Sequence, residues 1–214
     1  MGDRRDHDQA EQGGLSPDEV VRSCLGEIWR YRLAIQVQLS RIKPANEAVL
    51  EERKQIEKDE RELLFAPSMS ADSFQERLES IHYRDVPLIG TLKTEGQFLL
   101  VAVYGILSMS KGIRRVSVGD MNGCVQQAIG AFEKAAPDAD LLRHLHEHSD
   151  AYIRGEGKDR HRLPDPSNPG EVTMLDEGLA YFIGGKLFLL GEIAQAAEKL
   201  GRAVHDCTEE VILP

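Results

Sequence analysis

The chain of 214 residues is poor in cysteine, with only Cys24, Cys124 and Cys207, which lie far apart in the sequence. No two of them form a CxxC pair, so the sequence supports neither a zinc knuckle nor a redox motif. Residues 1–14 are polar and charged and lack the apolar segment of a secretory signal. We therefore expect a cytoplasmic protein whose thiols are reduced.

Long apolar segments and an excess of positive charge are also missing. The longest apolar run, residues 98–109, is too short to cross a bilayer and is typical of a buried helix, so we expect no membrane association. The chain has 26 Lys and Arg against 36 Asp and Glu, which gives a net charge of −10. This balance excludes a protein that coats nucleic acid through a broad basic surface, but it leaves room for a local basic cleft.

Apolar residues recur at helical spacing through most of the chain, and this pattern predicts an all-α helical bundle. The first helix begins at Ser16-Pro17, where serine can cap the helix and proline suits its first turn. Arg32 occupies the one polar position of a heptad-like seam formed by Val21, Leu25, Ile28, Ile35, Leu39 and Ile42. The seam fits either an ordinary bundle helix or an intermolecular coiled coil.

Pro44 is predicted to end this helix, because proline disfavours the helical conformation of the residue before it. Residues 45–65 are predicted to form a second, highly charged helix with apolar residues at seven-residue intervals, Val49, Ile56 and Leu63. The narrow apolar stripe predicts that this helix packs back on the first one. We therefore expect a disordered tail at 1–14, a long helical hairpin at 15–65 and a helical bundle at 66–214, packed together as one domain.

One segment departs from the helical pattern. Residues 179–183 and 186–190 are apolar and flank Gly184-Gly185, a pair that supplies the positive φ angles of a tight hairpin turn. A final amphipathic helix follows at 192–210. The sequence thus predicts one small β-hairpin before the last helix.

The most informative motif lies in a helix predicted between residues 138 and 155. There Arg143 and His148 are five positions apart, about 1.4 turns, so they project from neighbouring faces at the same end of the helix. Arginine holds phosphate oxygens with a planar fork, and histidine transfers protons near neutral pH. This pair of side chains is suited to phosphodiester chemistry.

A helical bundle with Arg-x4-His in its penultimate helix resembles the HEPN superfamily (higher eukaryotes and prokaryotes nucleotide-binding), and the resemblance covers roughly residues 92–210. Many members are metal-independent ribonucleases. The resemblance implies that His148 is the general base for a ribose 2′-hydroxyl and that Arg143 stabilises the charge on the phosphate. The family most often has Asn or Asp directly after the arginine, and this chain has His144 there.

The same resemblance implies an endoribonuclease that needs no metal or cofactor, because the 2′-hydroxyl attacks the phosphate beside it and leaves a 2′,3′-cyclic phosphate. In the family two motifs usually meet across a dimer, so we expect a homodimer with RNA as its substrate. Family members include toxins and defence proteins. The chain is therefore a candidate toxin or defence effector, and an inhibitor or other partner protein is a candidate interaction.

Residues near the motif supply candidate contacts to RNA and phosphate. His144 and Tyr152 lie close to it in the sequence, and a basic segment follows with Arg154, Lys158, Arg160 and Arg162. A basic rim can guide phosphate towards an otherwise acidic protein. A solvated loop would have the same composition.

Two other functions fit these residues. His144 and His148 are four positions apart on one helix face, so they can share a metal ion if a third ligand comes from elsewhere in the chain. Alternatively, the chain is a non-catalytic oligomerisation scaffold in which Arg143 pairs with Glu147 on an open surface.

Overall fold

The computed structural model describes residues 15–66, 69–147, 154, 156, 159–165, 171–175, 178–183 and 185–209. These residues form six α-helices, a turn of 3-10 helix and three strands: α1 (Pro17–Leu64), α2 (Ala71–His82), α3 (Val86–Val116), α4 (Gly119–Ala135), α5 (Ala139–Glu147), the 3-10 turn (Arg160–Arg162), β1 (Glu171–Leu175), β2 (Gly178–Ile183), β3 (Lys186–Leu189) and α6 (Leu190–Asp206). The predicted all-α bundle is confirmed. The predicted disorder of residues 1–14 falls outside the described residues.

The predicted β-hairpin is also confirmed, and it belongs to a slightly larger sheet. β2 pairs with β3 in antiparallel register, with Ile183 opposite Lys186 and Gly185 in the turn at a φ of +78°. β1 pairs with the other edge of β2, so the strand order is β1-β2-β3. β1 was not predicted from the sequence.

The predicted helical hairpin at 15–65 is wrong, because α1 is one helix of 48 residues that contains Pro44. Its start is confirmed: the Ser16 side chain accepts a hydrogen bond from the Glu19 amide, and Glu19 accepts one from the Ser16 amide. The helix continues past Pro44 because its buried seam continues on both sides of this exposed residue. With its continuation beyond Pro44, the buried residues of the seam are Val21, Ile28, Ile35, Ile42, Val49, Ile56 and Leu63.

The energies explain why the proline does not break the helix. A proline in a helix interior costs about 3 kcal/mol relative to alanine. Full burial of one valine, isoleucine or leucine side chain contributes about 1.5–3 kcal/mol. Three seam residues follow Pro44, so a chain that turned back at that point would have to bury all three elsewhere.

α3 packs along α1 in the opposite direction and covers most of the seam. The antiparallel direction follows from pairs spread along both helices, such as Arg41 with Glu95 at 3.9 Å and Arg53 with Asp85 at 3.2 Å. α3 contributes its own buried heptad series, Leu92, Leu99, Ile106 and Ile113. Repeats of seven on both helices are typical of left-handed coiled-coil packing. Since the seam is filled within the chain, the intermolecular coiled coil through it is wrong.

Two glycines let α1 side chains lie directly on neighbouring helices. A Cβ atom at Gly105 of α3 would overlap the ring of Tyr31, and one at Gly201 of α6 would lie 2.7 Å from Cδ of Arg32. Arg32 therefore crosses α6, and its Nε donates a hydrogen bond of 3.1 Å to Glu198. This ion pair, with the side chains only 23% and 16% exposed, explains the polar position in the seam.

Cys124 of α4 and Cys207 at the end of α6 form a disulfide, with their Cα atoms 5.7 Å apart. The expectation of reduced thiols is therefore wrong for this pair. Cys24 is a free, half-buried cysteine, and burial raises the pKa of its thiol. The cytoplasmic location stays a prediction.

One helical stretch among the described residues is long and apolar enough to cross a membrane. However, 56% of its apolar window is buried inside the bundle, and the core helix of a soluble protein meets the same criterion. The expectation of no membrane association stays a prediction.

Replacing the proline inside α1 tests whether the helix is continuous. We expect Pro44→Ala to raise the free energy of unfolding by about 2 kcal/mol, because alanine restores the missing amide donor and removes the ring from the preceding turn. Urea denaturation measures the change. Lys43→Ala, at the exposed neighbour, is the control and should change it by less than about 0.5 kcal/mol. A loss of stability in Pro44→Ala would contradict a continuous helix.

The contact between Tyr31 and Gly105 gives a second test. We expect Gly105→Ala to lower the free energy of unfolding by about 1–3 kcal/mol, because the added methyl group overlaps the tyrosine ring. Gly123→Ala is the matched control, since a Cβ there has no atom within 4 Å. It should stabilise α4 by up to about 1 kcal/mol. Equal effects of the two substitutions would show that the close approach is absent.

Candidate functional site

Helix α5 carries the candidate site, and its buried leucines fix how it sits in the bundle. Leu141, Leu142 and Leu145 are at most 3% exposed, so one face of α5 lies in the core. Arg143 lies off that face and is exposed, and His144 is partly exposed. The spacing of the leucines thus presents the first residue of the motif to solvent.

The Arg143 side chain is held against α3. Its guanidinium carbon lies 5.0 Å from the centre of the Tyr104 ring, a distance at which a cation is attracted to the face of an aromatic ring. Arg143 also lines a cavity of about 450 Å³, together with Tyr31 of α1 and several residues of α3. The structure thus places a fixed cation at an aromatic cavity.

His148, Tyr152 and Lys158 lie outside the described residues, and so does the side chain of Arg160. The convergence of Arg143 and His148, and the contacts expected from the other three, stay predictions. The side chain of Glu147 is also outside, so its pairing with Arg143 is untested.

His144 contacts a residue to which the sequence analysis gave no role. Its Nδ1 lies 2.9 Å from Oδ2 of Asp159, and the two side chains are 40% and 18% exposed. A carboxylate at Nδ1 holds a proton on that nitrogen and orients the ring, as it does in many sites where histidine acts on a ligand through Nε2. The partly exposed His144 ring is therefore oriented by Asp159.

Arg162, expected to bind phosphate, is already surrounded by carboxylates. It donates hydrogen bonds of 2.9 and 3.1 Å to Asp140 and one of 3.3 Å to Asp138, and it lies 4.0 Å from Asp159. Lys186 of β3 also pairs with Asp138. These contacts tie the 3-10 turn to the start of α5. The structure thus gives Arg162 a positioning role, and the expected phosphate contact stays a prediction.

The same contacts shift the pKa values of Asp140 and Arg162, which belong to an acidic network with Asp138 and Asp159. The hydrogen bonds from Arg162 hold the pKa of Asp140 below its usual range, and Asp140 in turn raises the pKa of the guanidinium. Arg154, another of the basic residues expected to contact phosphate, pairs with Glu156 at 3.1 Å on the surface. Exposed pairs of this kind contribute little to stability, and a phosphate role for Arg154 stays a prediction.

The metal-binding alternative required ligands around His144 and His148. Among the described residues, the group whose ligand atoms could hold an ion is His205, Asp206 and Glu209, which is exposed at the end of α6. Exposed acidic groups are common without an ion, so this group carries no assignment. A metal site that includes His148 stays untested.

No known protein family matches the chain, and neither the curated proteins nor the solved structures give a significant match. The resemblance to the HEPN superfamily therefore stays a prediction. It rests on Arg143, His148 and the order of the surrounding elements.

Breaking the network at Arg162 should give a pH-dependent loss of stability. The lowered pKa of Asp140 stabilises the fold above the unfolded carboxyl pKa of about 3.9, and this contribution is lost as the pH falls through the lower folded pKa. We expect Arg162→Gln to lower the free energy of unfolding at pH 7 by about 1 kcal/mol, a modest value because the Asp140 side chain is 59% exposed.

The difference between the parent protein and Arg162→Gln should then shrink when urea denaturation is repeated at decreasing pH below about 4. Arg61→Gln is the control, since its ion pair with Glu57 is largely exposed and should contribute almost nothing at any pH. A difference that stays constant from pH 7 to 3 would mean that Arg162 acts through packing, not through charge.

Proposed function

We propose that the chain is a metal-independent endoribonuclease of the HEPN type, which cleaves RNA by attack of a ribose 2′-hydroxyl on the adjacent phosphate. The observation that carries the proposal is the exposed guanidinium of Arg143, held over Tyr104 at the edge of a cavity. Arg143 stabilises the negative charge that grows on the phosphate oxygens. His148 takes the proton from the 2′-hydroxyl.

The contact with Tyr104 suits Arg143 to this role. A long arginine side chain loses conformational freedom when it binds a ligand, and a ring that already restrains the side chain reduces that cost. The planar guanidinium also donates two parallel hydrogen bonds to phosphate oxygens. An arginine restrained in this way loses less conformational entropy when it binds a phosphate.

His144 and the acidic network support the same chemistry. His144 follows Arg143 directly, and Asp159 orients its ring through Nδ1, so the doubly protonated ring can donate from Nε2 to a second phosphate oxygen. Arg162 holds the start of α5 against the 3-10 turn, which keeps this helix in place. In this proposal RNA binds only around Arg143 and His144, because the chain as a whole has a net charge of −10 and would repel RNA elsewhere.

In this proposal the chain acts in the cytoplasm as a homodimer. A two-fold axis brings two copies of one helix together, so it can supply both halves of a symmetric cleft. A role as a toxin or defence effector, controlled by an inhibitor or partner protein, is part of the same proposal. The scaffold alternative used the seam of α1, which α3 covers, and it would need another surface.

Incubation of the purified protein with mixed RNA in EDTA tests the proposal. We expect cleavage that persists in the chelator and leaves 2′,3′-cyclic phosphate ends, identified by mass spectrometry. His148→Ala should reduce the rate by about 10²–10⁴-fold, the usual contribution of a general base. Arg143→Lys should reduce it at least about tenfold, because lysine keeps the charge but not the planar fork.

His205→Ala is the matched control, since it removes an exposed histidine near the end of α6 and should leave the rate unchanged. Circular dichroism of each variant shows that the helices remain. Intact RNA after incubation with the parent protein would refute the proposal. Cleavage that stops only when metal is chelated would instead favour the metal-binding alternative.

A further inference from the structure

A cavity of about 450 Å³ lies beside Arg143, between α1, α3 and α5. Its size falls in the range of small-molecule sites, about 300–1,000 Å³. We infer that this cavity binds one unpaired nucleobase of an RNA strand, next to the phosphate that Arg143 holds. The inference rests on the proposed function and adds the feature that would select the substrate.

Two tyrosines form the aromatic part of the cavity, and both are held in place. Tyr31 of α1 lies directly on the α3 backbone at Gly105, where any larger residue would overlap its ring. Tyr104 of α3 lies under the guanidinium of Arg143. Aromatic rings and arginine planes are the surfaces on which unstacked bases commonly stack.

The remaining lining residues suit a ring with apolar faces and polar edges. Leu100, Val101 and Met109 provide apolar contacts, and Gln97 and Ser108 provide an amide and a hydroxyl. Both polar groups can donate as well as accept hydrogen bonds, so they can pair with the edge of a base. A purely aliphatic ligand could not form hydrogen bonds with Gln97, Ser108 or Arg143.

The geometry also distinguishes between forms of RNA. A base in a duplex is stacked and paired, so it cannot enter a separate cavity, whereas a base in a single strand can be turned outward. The cavity therefore favours single-stranded RNA. Hydrogen bonds from Gln97 and Ser108 would give a preference among the four bases.

The test measures binding without cleavage, using the His148→Ala protein in EDTA. The probes are four fluorescein-labelled single-stranded RNA octamers, each built from a single type of base. Fluorescence anisotropy compares their binding with that of an abasic octamer that has the same phosphates. We expect the best base-containing octamer to bind at least about tenfold more tightly than the abasic one, since each stacked base contributes substantially to affinity.

Two matched substitutions on α3 locate the site. Val101 lines the cavity and is 63% exposed, whereas Phe98 is 55% exposed and does not line it. Val101→Glu should weaken binding at least tenfold, because its carboxylate repels the phosphate and competes for Arg143. Phe98→Glu adds the same charge outside the cavity and should change affinity less than threefold. Equal melting temperatures show that both variants are folded.

Equal binding of the abasic and base-containing octamers would overturn the inference, and so would equal losses in the two glutamate variants. Different outcomes would refute the proposed function. Base-dependent binding that Val101→Glu removes, together with no cleavage by the parent protein, would refute the ribonuclease and keep the cavity. Cleavage by the parent protein, together with equal binding of the abasic and base-containing octamers, would support the ribonuclease and refute the base-binding cavity.

Discussion

The fold depends on the burial of one face of α1 against α3. A residue of α1 is buried at every seventh position from Val21 to Leu63, and α3 brings a matching series. The other elements pack onto this pair: α6 crosses α1 at Arg32, and the Tyr181 hydroxyl of β2 donates a hydrogen bond to the Lys93 carbonyl of α3. The candidate site shares this dependence, since its cavity lies between α1, α3 and α5.

The continuity of α1 is encoded in the sequence by a seven-residue repeat, although Pro44 predicts a break. Ile42 and Val49 are seven residues apart, the same interval as within each series on either side of Pro44. One uninterrupted repeat therefore runs past the proline. The free energy that disfavours a helical conformation at the residue before a proline is smaller than the free energy gained by burying the seam residues that follow. A repeat that keeps its phase is thus stronger evidence than a single helix-breaking residue.

The candidate site was predictable only in part. The leucines at 141, 142 and 145 mark the buried face of α5, so the exposure of Arg143 follows from helical spacing. The partners of the site residues do not follow from it. Tyr104 lies in another helix, and Asp159 lies beyond a segment with no apolar periodicity, so neither contact leaves a signal in one sequence. The sequence groups the basic residues after the motif into one rim, but the fold brings Arg162 to the carboxylates of Asp138 and Asp140.

The disulfide between Cys124 and Cys207 closes a ring that contains Arg143, His144, Asp159 and Arg162. Its two cysteines are 83 positions apart, and α5, the 3-10 turn and the sheet all lie between them, whereas α1 and α3 lie outside. While the bond is intact, hydrolysis of any peptide bond within the ring leaves one covalent molecule. After a single proteolytic cut in the segment that carries Arg143 and His144, both resulting pieces thus stay covalently attached to the protein.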